Sequence, residues 1–171
     1  MTMYNRGMTR RALFCLAALA LLTGCFRSRD VQTDLKITDV RTGWFDAGIV
    51  DGKNKLVPSI SLKIANVSPE DITNVQVNAI FRRVGEQEAW GEHFVRAIDS
   101  NGLKAGATGG DIVLRSTLGY ISPDRETSRA EMLRNTEFRD VHVEIFGKHG
   151  SRTWAKMGEY PVERKLLLTS Q

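Results

Sequence analysis

Short runs of alternating apolar and polar residues constrain the fold of this chain more than any other feature. In residues 141–146, valine, valine and isoleucine alternate with histidine, glutamate and phenylalanine, and residues 60–65 and 75–81 follow the same period of two. Successive side chains of a β-strand point to opposite faces of a sheet, whereas a helix needs a period near 3.6. The pattern therefore predicts several strands, each with one buried face.

Clusters of turn-forming residues separate these runs. Residues 51–55, 66–71 and 99–102 are rich in glycine, asparagine, aspartate, serine or proline, which favour tight turns. Proline at position 161 is typical of an edge strand or a strand start, because proline cannot donate a hydrogen bond to the ladder. The predicted strands span residues 35–41, 60–65, 75–81, 89–98, 110–116, 141–146, 152–156 and 160–168.

The number of strands and the scarcity of helical patterns predict the fold class. Ser128-Arg-Ala-Glu131 matches a capping box, so a short helix over residues 129–134 is one interpretation and an irregular loop is the other. Seven or eight short strands, with a turn about every ten residues, are typical of an all-β antiparallel sandwich. A β-barrel is the alternative arrangement.

The N-terminal 25 residues have the layout of a secretory signal. Three arginines within the first 11 residues precede an apolar run from Ala12 to Leu22, and Leu22-Thr-Gly-Cys25 follows. The cysteine makes this segment resemble the lipobox of bacterial lipoproteins. That resemblance implies cleavage between Gly24 and Cys25 and a diacylglyceryl group on the Cys25 sulfur. An uncleaved transmembrane helix is the alternative, but an apolar run of about 11 residues is short of the ~20 that a span requires.

This resemblance implies a division of the chain and a location. Residues 1–24 are the predicted signal peptide, residues 25–34 the lipidated cysteine and tether, and residues 35–171 the β-sandwich domain. Two or more acyl chains hold a protein stably on a bilayer. Phe26 stands where an aspartate retains enteric lipoproteins in the inner membrane, so the expected site is the periplasmic face of the outer membrane. In an organism without an outer membrane, the anchor would be the plasma membrane. Met8 is an alternative start to Met1.

Charge and cysteine content narrow the functional classes. Three of the 24 basic residues and none of the 20 acidic ones lie in the signal, which leaves a mature chain of net charge +1. Such a balance argues against a nucleic-acid partner, which requires a concentrated basic surface. Of the two cysteines, Cys15 leaves with the signal and Cys25 carries lipid, so no disulfide can form in the mature domain.

One stretch resembles a known class of sandwich domain. Residues 61–81 contain a strand, an Asn66-Val-Ser68 loop and a second strand, and Leu103-Lys-Ala-Gly106 precedes a later strand. These segments resemble the F-x-L-Y-D-type and late-embryogenesis-abundant-type domains, although the F-x-L-Y-D signature itself is absent. The resemblance implies an immunoglobulin- or fibronectin-like sandwich that acts as a binding or scaffolding module without catalytic residues.

The sequence carries no recognisable catalytic or cofactor motif. It has no Gly-x-Ser-x-Gly elbow, residues 51–55 lack the repeated acidic oxygens of a calcium loop, and residues 106–110 lack the Gly-Lys-Ser/Thr of a phosphate loop. A zinc site at His142, Glu144 and His149 is conceivable, but a solvated strand face explains these residues better. We therefore assign no catalytic, metal-binding or cofactor-binding residue.

Aromatic residues near predicted strand ends are the candidate partner-binding residues. If exposed, their rings would anchor a protein or a glycan, whereas packing in the core or at the sheet rim is the structural alternative for each one. The leading hypothesis is a non-catalytic, membrane-anchored lipoprotein that binds an envelope protein in a secretion, transport or assembly complex. An envelope enzyme or ligand carrier acting on glycan or lipid is the alternative, and it predicts a concave pocket. The candidate residues are Trp44, Phe45, Trp90, Tyr120 and Trp154.

Overall fold

Two antiparallel β-sheets packed face to face form the architecture that a computed structural model describes over residues 29–167. The predicted signal, its cleavage site and Cys25 lie outside the described residues. Within residues 29–167, neither helix has the length and hydropathy required to cross a bilayer. The elements are α1 (Val31–Asp34), β1 (Leu35–Val50), β2 (Lys53–Asn66), β3 (Val75–Arg83), β4 (Gly91–Ile98), β5 (Ile112–Arg115), β6 (Tyr120–Ile121), α2 (Arg129–Arg134), β7 (Val141–His149) and β8 (Ala155–Pro161).

The strand order is that of an immunoglobulin/fibronectin-like sandwich. The first sheet has the order β1-β2-β5, with β6 also paired to β2, and the second has the order β4-β3-β7-β8. In an immunoglobulin constant domain, the first, second and fifth strands likewise share one sheet, while the third pairs with the sixth in the other. Here β7 takes that sixth place, and β4 lies beside β3 in the second sheet. The predicted antiparallel sandwich of seven to eight strands is confirmed.

The alternating runs form the core, as their period predicts. In β3, alternate residues from Val75 to Phe81 have no exposed surface, and Val141, Val143 and Ile145 of β7 are at most 1% exposed. Both strands lie in the middle of the second sheet, so their inward faces meet the buried residues of β2. Burial of each such side chain contributes about 1.5–3 kcal/mol relative to exposure.

A proline explains why the third position in the first sheet is divided between two strands. Pro58 lies within β2, and its carbonyl oxygen accepts a hydrogen bond from Ser116 N at 2.9 Å. The N and C=O of one strand residue point to the same side, so the missing Pro58 N–H also faces the strand that should pair there. The ladder on this side accordingly breaks: β5 pairs with residues 59–62 and β6 with residues 55–56.

Several details of the predicted elements are corrected by the structure. The second strand begins at Lys53 rather than at residue 60, and the strand predicted at 152–156 begins only at Ala155. The first strand runs to Val50 rather than ending near residue 41, because bulges between Thr38 and Arg41 and between Asp46 and Ile49 interrupt its alternation without ending it. The short β6 has no counterpart among the predicted strands. The predicted strand at 160–168 is also wrong: β8 ends at Pro161, and the chain then runs parallel to β1 beside Trp44.

Of the two interpretations of residues 129–134, the structure shows the helix, together with its capping box. Ser128 Oγ accepts a hydrogen bond from Glu131 N at 3.3 Å, and a Glu131 carboxylate oxygen accepts one from Ser128 N at 2.7 Å. Met132 and Leu133 are buried in the core, so tertiary packing holds this short helix in place.

The Asn66 side chain joins the two segments on which the family resemblance depends. Its amide nitrogen donates to the carbonyl oxygens of Glu70 and Leu103, each at 2.9 Å, and its oxygen accepts from Ser68 N and Oγ. The Gly106 N–H donates to the Asn66 carbonyl at 2.9 Å. Residue 66 is 1% exposed, and the nitrogen and the oxygen of its buried amide both have hydrogen-bond partners, as is usual for buried polar groups.

The two ends of the sandwich carry different connections. Arg29, the first described residue, lies at the end where β1 and β3 begin and β7 ends, which we call the tether end. The turn between β1 and β2, the segment from β5 to β7, and the turn between β3 and β4 lie at the opposite end, which we call the distal end. The 14 residues of β2, at about 3.3 Å each, separate the two ends by about 45 Å.

Candidate partner surface at the distal end

Four aromatic rings from distant parts of the chain meet near the distal end. Trp44 on β1 lies 4.5 Å from Phe138 and 5.7 Å from Tyr120 on β6, measured between ring centroids. Trp90, just before β4, lies 4.9 Å from Tyr120. The tilted and edge-on geometries are those that aromatic pairs prefer. The structure thus brings together three of the five candidate residues and adds Phe138, which the sequence analysis did not single out.

Trp44 belongs to the core rather than to a surface. Its side chain has no exposed area, because β1 turns it inward where rings from β6 and the loop before β7 cover it. A fully buried ring cannot contact a partner protein, so we remove Trp44 from the candidate binding residues. Phe45, on the outward face, is half-buried under the Arg115 guanidinium, which lies 3.6 Å from its ring centre.

Trp90 and Tyr120 lie at the rim of the cluster and remain partly accessible. The Arg83 guanidinium covers one side of Trp90, at 5.3 Å from its ring centre. Glu86 holds this arginine in place, since its carboxylate lies 3.0 Å from Arg83 and 2.8 Å from Arg139. The Tyr120 hydroxyl accepts a hydrogen bond from Arg139 N at 3.2 Å. These contacts hold the Trp90 and Tyr120 side chains in place at the distal end.

Most of the exposed aliphatic side chains lie in the same half of the sandwich as this cluster. Ten large hydrophobic side chains among residues 29–167 are exposed; eight of these are aliphatic, and six of the eight lie in the distal half. Single exposed apolar residues are normal on a protein surface, whereas several in one region make it a candidate contact surface. The sequence does not reveal them, because isolated apolar residues at strand ends and in loops have no periodic pattern. We call this set the distal rim: Ile49, Val50, Val84, Leu118, Ile121 and Leu166.

Trp154, the last candidate, lies at the other end of the molecule. It follows the turn after β7, and its ring packs edge-on against Phe94 of β4, with centroids 6.1 Å apart. Trp154 is 40% exposed and Phe94 is 54% exposed. The five candidate aromatics therefore do not form one surface, because strand direction carries Trp154 to the tether end.

The histidine-carboxylate face of β7 is engaged in ion pairs. Glu144 accepts from Arg82 Nε at 2.9 Å and from Lys156 Nζ at 2.7 Å, and these two contacts, that of Lys156 first, lower the pKa of Glu144. His142 Nε2 lies 3.8 Å from a Glu159 oxygen. Burial lowers the pKa of His149, and the charges of two nearby arginines lower it further. Over residues 29–167 no three His, Cys, Asp or Glu side chains are grouped so as to hold a metal ion.

A salt bridge and hydrogen bonds also hold together the elements that carry the distal rim. Burial alone would raise the pKa of Asp46, but hydrogen bonds from Arg129 and from Gly48 N outweigh it and lower that pKa. The Arg129 contact ties α2 to β1, and Asn54 Nδ2 donates to Thr127 O at 2.9 Å. The elements that display the distal rim are therefore held to one another by several polar contacts.

No protein-family model matches this chain, and no curated protein matches its sequence. What the protein does must accordingly be argued from its own residues. Two observations bear on that question: Arg29, the first described residue, lies at one end of the sandwich, and most of the exposed aliphatic residues lie in the other half.

Proposed function

We propose that this chain is an envelope lipoprotein, anchored through acylated Cys25, whose β-sandwich is a non-catalytic module that binds another envelope protein through the distal rim. The expected location is the periplasmic face of the outer membrane. The observation that carries the proposal is that six of the eight exposed aliphatic side chains of residues 29–167 lie in the half of the sandwich away from the tether end.

The anchor is supported by the order of features in the sequence. A basic start, an apolar run and Leu22-Thr-Gly-Cys25 follow one another within 25 residues. The tether that follows is short, since the first described residue comes only four positions after Cys25. Anchoring both partners to one membrane raises their effective concentration, so that a small interface is sufficient for binding.

The distal rim has the composition of an interface. Its apolar side chains share the distal half with half-buried Trp90 and Tyr120 and with the cations Arg83 and Arg139, and aromatic and arginine residues often dominate binding energy. The rigid aromatic cluster beneath fixes the positions of these groups before a partner arrives, which lowers the entropy cost of binding.

Site-specific cross-linking in intact cells tests the partner surface. A photoreactive amino acid at Leu118 (52% exposed) is expected to capture an envelope protein, whereas the same group at Val67 (56% exposed, at the tether end) is the matched control. Capture of the same protein with equal yield from both positions, or from neither, would contradict the proposed surface.

Labelling with palmitate tests the anchor separately. The wild-type chain is expected to incorporate labelled palmitate and to sediment with membranes. Cys25→Ala should abolish incorporation and leave an unprocessed precursor. A Cys25→Ala chain that is labelled and processed like the wild type would contradict the proposed anchor, whatever the result of cross-linking.

A further inference from the structure

Exposed aromatic rings and free cations occur together at one corner of the tether end. We call five residues the tether-end corner: Phe94, Arg96, Lys148, Arg152 and Trp154. Lys148 Nζ lies 4.9 Å from the Trp154 ring centre, and Trp154 packs against Phe94. Arg96 and Lys148 both pair with the same residue of β3, so they project from the same outer face of the second sheet.

The three cations of this corner form no ion pair with any carboxylate of residues 29–167, although many other lysines and arginines do. Several carboxylates at this end are engaged elsewhere: Glu70 pairs with Arg29 at 2.5 Å, Asp71 pairs with Lys104 at 2.7 Å, and Asp30 accepts a hydrogen bond from Gln32 N at 3.0 Å. Asp99 accepts hydrogen bonds from its own turn. The corner therefore presents net positive charge, although the mature chain is nearly neutral.

The covalent chain limits how far this corner can lie from the lipid. Arg29 comes four positions after Cys25, and an extended chain spans at most ~3.6 Å per residue, so the Cys25 and Arg29 Cα atoms are within about 14 Å. Arg29 and Arg152 line the same cleft, of about 560 Å³. A sulfur that carries acyl chains would hold the corner at the depth of the phospholipid headgroups.

We propose that the tether-end corner contacts the bilayer that holds Cys25, with Trp154 among the headgroups and the three cations at lipid phosphates. The inference rests on the proposed anchoring. Tryptophan is enriched at membrane–water interfaces because its ring is apolar at one edge and polar at the other. Lysine and arginine are attracted to anionic leaflets. The contact would orient the sandwich so that the distal rim points away from the membrane.

Quenching of tryptophan fluorescence by brominated lipids tests this contact. The full lipidated chain is reconstituted into vesicles of phosphatidylethanolamine and phosphatidylglycerol, with and without brominated acyl chains. We expect a quenchable fraction that Trp154→Phe largely removes and that Trp90→Phe, at the distal end, leaves in place. Equal quenching in the two variants, or none in the wild type, would overturn the inference.

Charge reversal provides a second variant that leaves the fluorophore intact. Lys148→Glu with Arg152→Glu is expected to lose most of the Trp154 quenching, and Arg125→Glu with Arg134→Glu, which reverses two exposed distal cations, is expected to retain it. Unchanged quenching in the first double variant would mean that the cations do not meet the phosphates.

Flotation of the same vesicles separates the two proposals. A chain that floats with the vesicles but shows no Trp154 quenching keeps its anchor and lacks the bilayer contact. A wild-type chain that does not float overturns both proposals. If Trp154 stays unquenched and a photoreactive group at position 154 captures an envelope protein, the corner binds protein and the inference is wrong.

Discussion

At the scale of single residues, Asn66 is the side chain on which most of the tether end depends. Its amide bonds to the backbone of two separate loops, and its oxygen accepts two bonds from Ser68. We expect Asn66→Ala to lower the free energy of unfolding by about 3 kcal/mol, because four hydrogen bonds are lost and Ser68 N and Leu103 O lose their only side-chain partner. Urea denaturation of wild type and variant measures the difference.

Asn101→Ala is the matched control for this prediction. Asn101 is exposed in a turn and bonds only to Asp99, so its replacement should change the unfolding free energy by about 0.5 kcal/mol or less. A loss in Asn66→Ala as small as that of the control would show that the loops do not need the amide.

Glu144 gives the second prediction at this scale. Hydrogen bonds from Lys156 and Arg82 lower its pKa below the ordinary value of 4.5. Its contribution to stability is therefore present above pH 4.5 and disappears as the pH falls through the lowered pKa. We expect Glu144→Gln to be less stable than wild type by about 1 kcal/mol at pH 7 and nearly equal to it in strong acid.

Thermal unfolding between pH 7 and pH 2 measures this convergence. Glu159→Gln serves as the comparison, because Glu159 shares Lys156 with Glu144 but is 49% exposed, against 15% for Glu144. A stability difference in Glu144→Gln that stays constant down to pH 2 would mean that the ion pairs contribute nothing that depends on charge.

At the scale of elements, the C-terminal segment beside β1 depends on one glycine. Trp44 N donates to Lys165 O at 2.8 Å, and Leu167 N donates to Trp44 O at 2.9 Å. A Cβ at Gly43 would lie 2.9 Å from the Lys165 carbonyl oxygen and from the Leu167 side chain. Because the backbone there cannot yield without breaking these bonds, Gly43→Ala should release the segment.

Limited trypsin digestion measures that release at the Lys165–Leu166 bond. We expect cleavage to be roughly tenfold faster in Gly43→Ala, which corresponds to about 1.4 kcal/mol of lost protection in the regime where opening is fast. Gly110→Ala is the control, since a Cβ at that position would meet no atom within 4 Å. Equal cleavage rates in both variants would contradict the prediction.

Element prediction from the sequence succeeded where one physical signal dominates and failed where tertiary pairing decides. β3 and β7 bury one face each, so their alternation identified them. The capping box made α2 one of two interpretations, because only packing decides whether so short a helix forms. In β2, residues 56–60 are buried on both faces, so the pattern did not show where this strand begins. The bulges of β1 shift its period, so the pattern did not show where that strand ends. The parallel segment after Pro161 has no local signal at all.

The candidate residues were predictable by type but not by placement. An aromatic near a strand end can lie in the core, like Trp44, or on the surface, like Trp154, and only the packing of the second sheet decides between them. Phe138 and the distal rim escaped prediction because their significance comes from distant elements that meet in space. A charge count could not reveal the tether-end corner either, since ion pairing determines which cations remain free.

At the scale of the whole molecule, each end of the sandwich has its own proposed role: bilayer contact at the tether end and partner binding at the distal end. The tether end carries free cations and exposed Trp154, and the distal rim carries most of the exposed aliphatic residues. The strands between them are tied by the core and act as a rigid spacer of about 45 Å. The partner is accordingly expected to meet the sandwich well above the headgroups.

The length of the tether should therefore control the bilayer contact without changing the fold. Inserting 20 Gly/Ser residues between Ser28 and Arg29 lengthens the connection from about 4 to about 24 residues. Effective concentration falls roughly as the −3/2 power of linker length, so the corner should meet the membrane about 15-fold less readily. Quenching of Trp154 by brominated lipid is expected to fall while flotation stays complete. The same 20 residues appended after Gln171 should leave quenching unchanged, and an insertion that also leaves it unchanged would show that the short tether does not hold the corner at the bilayer.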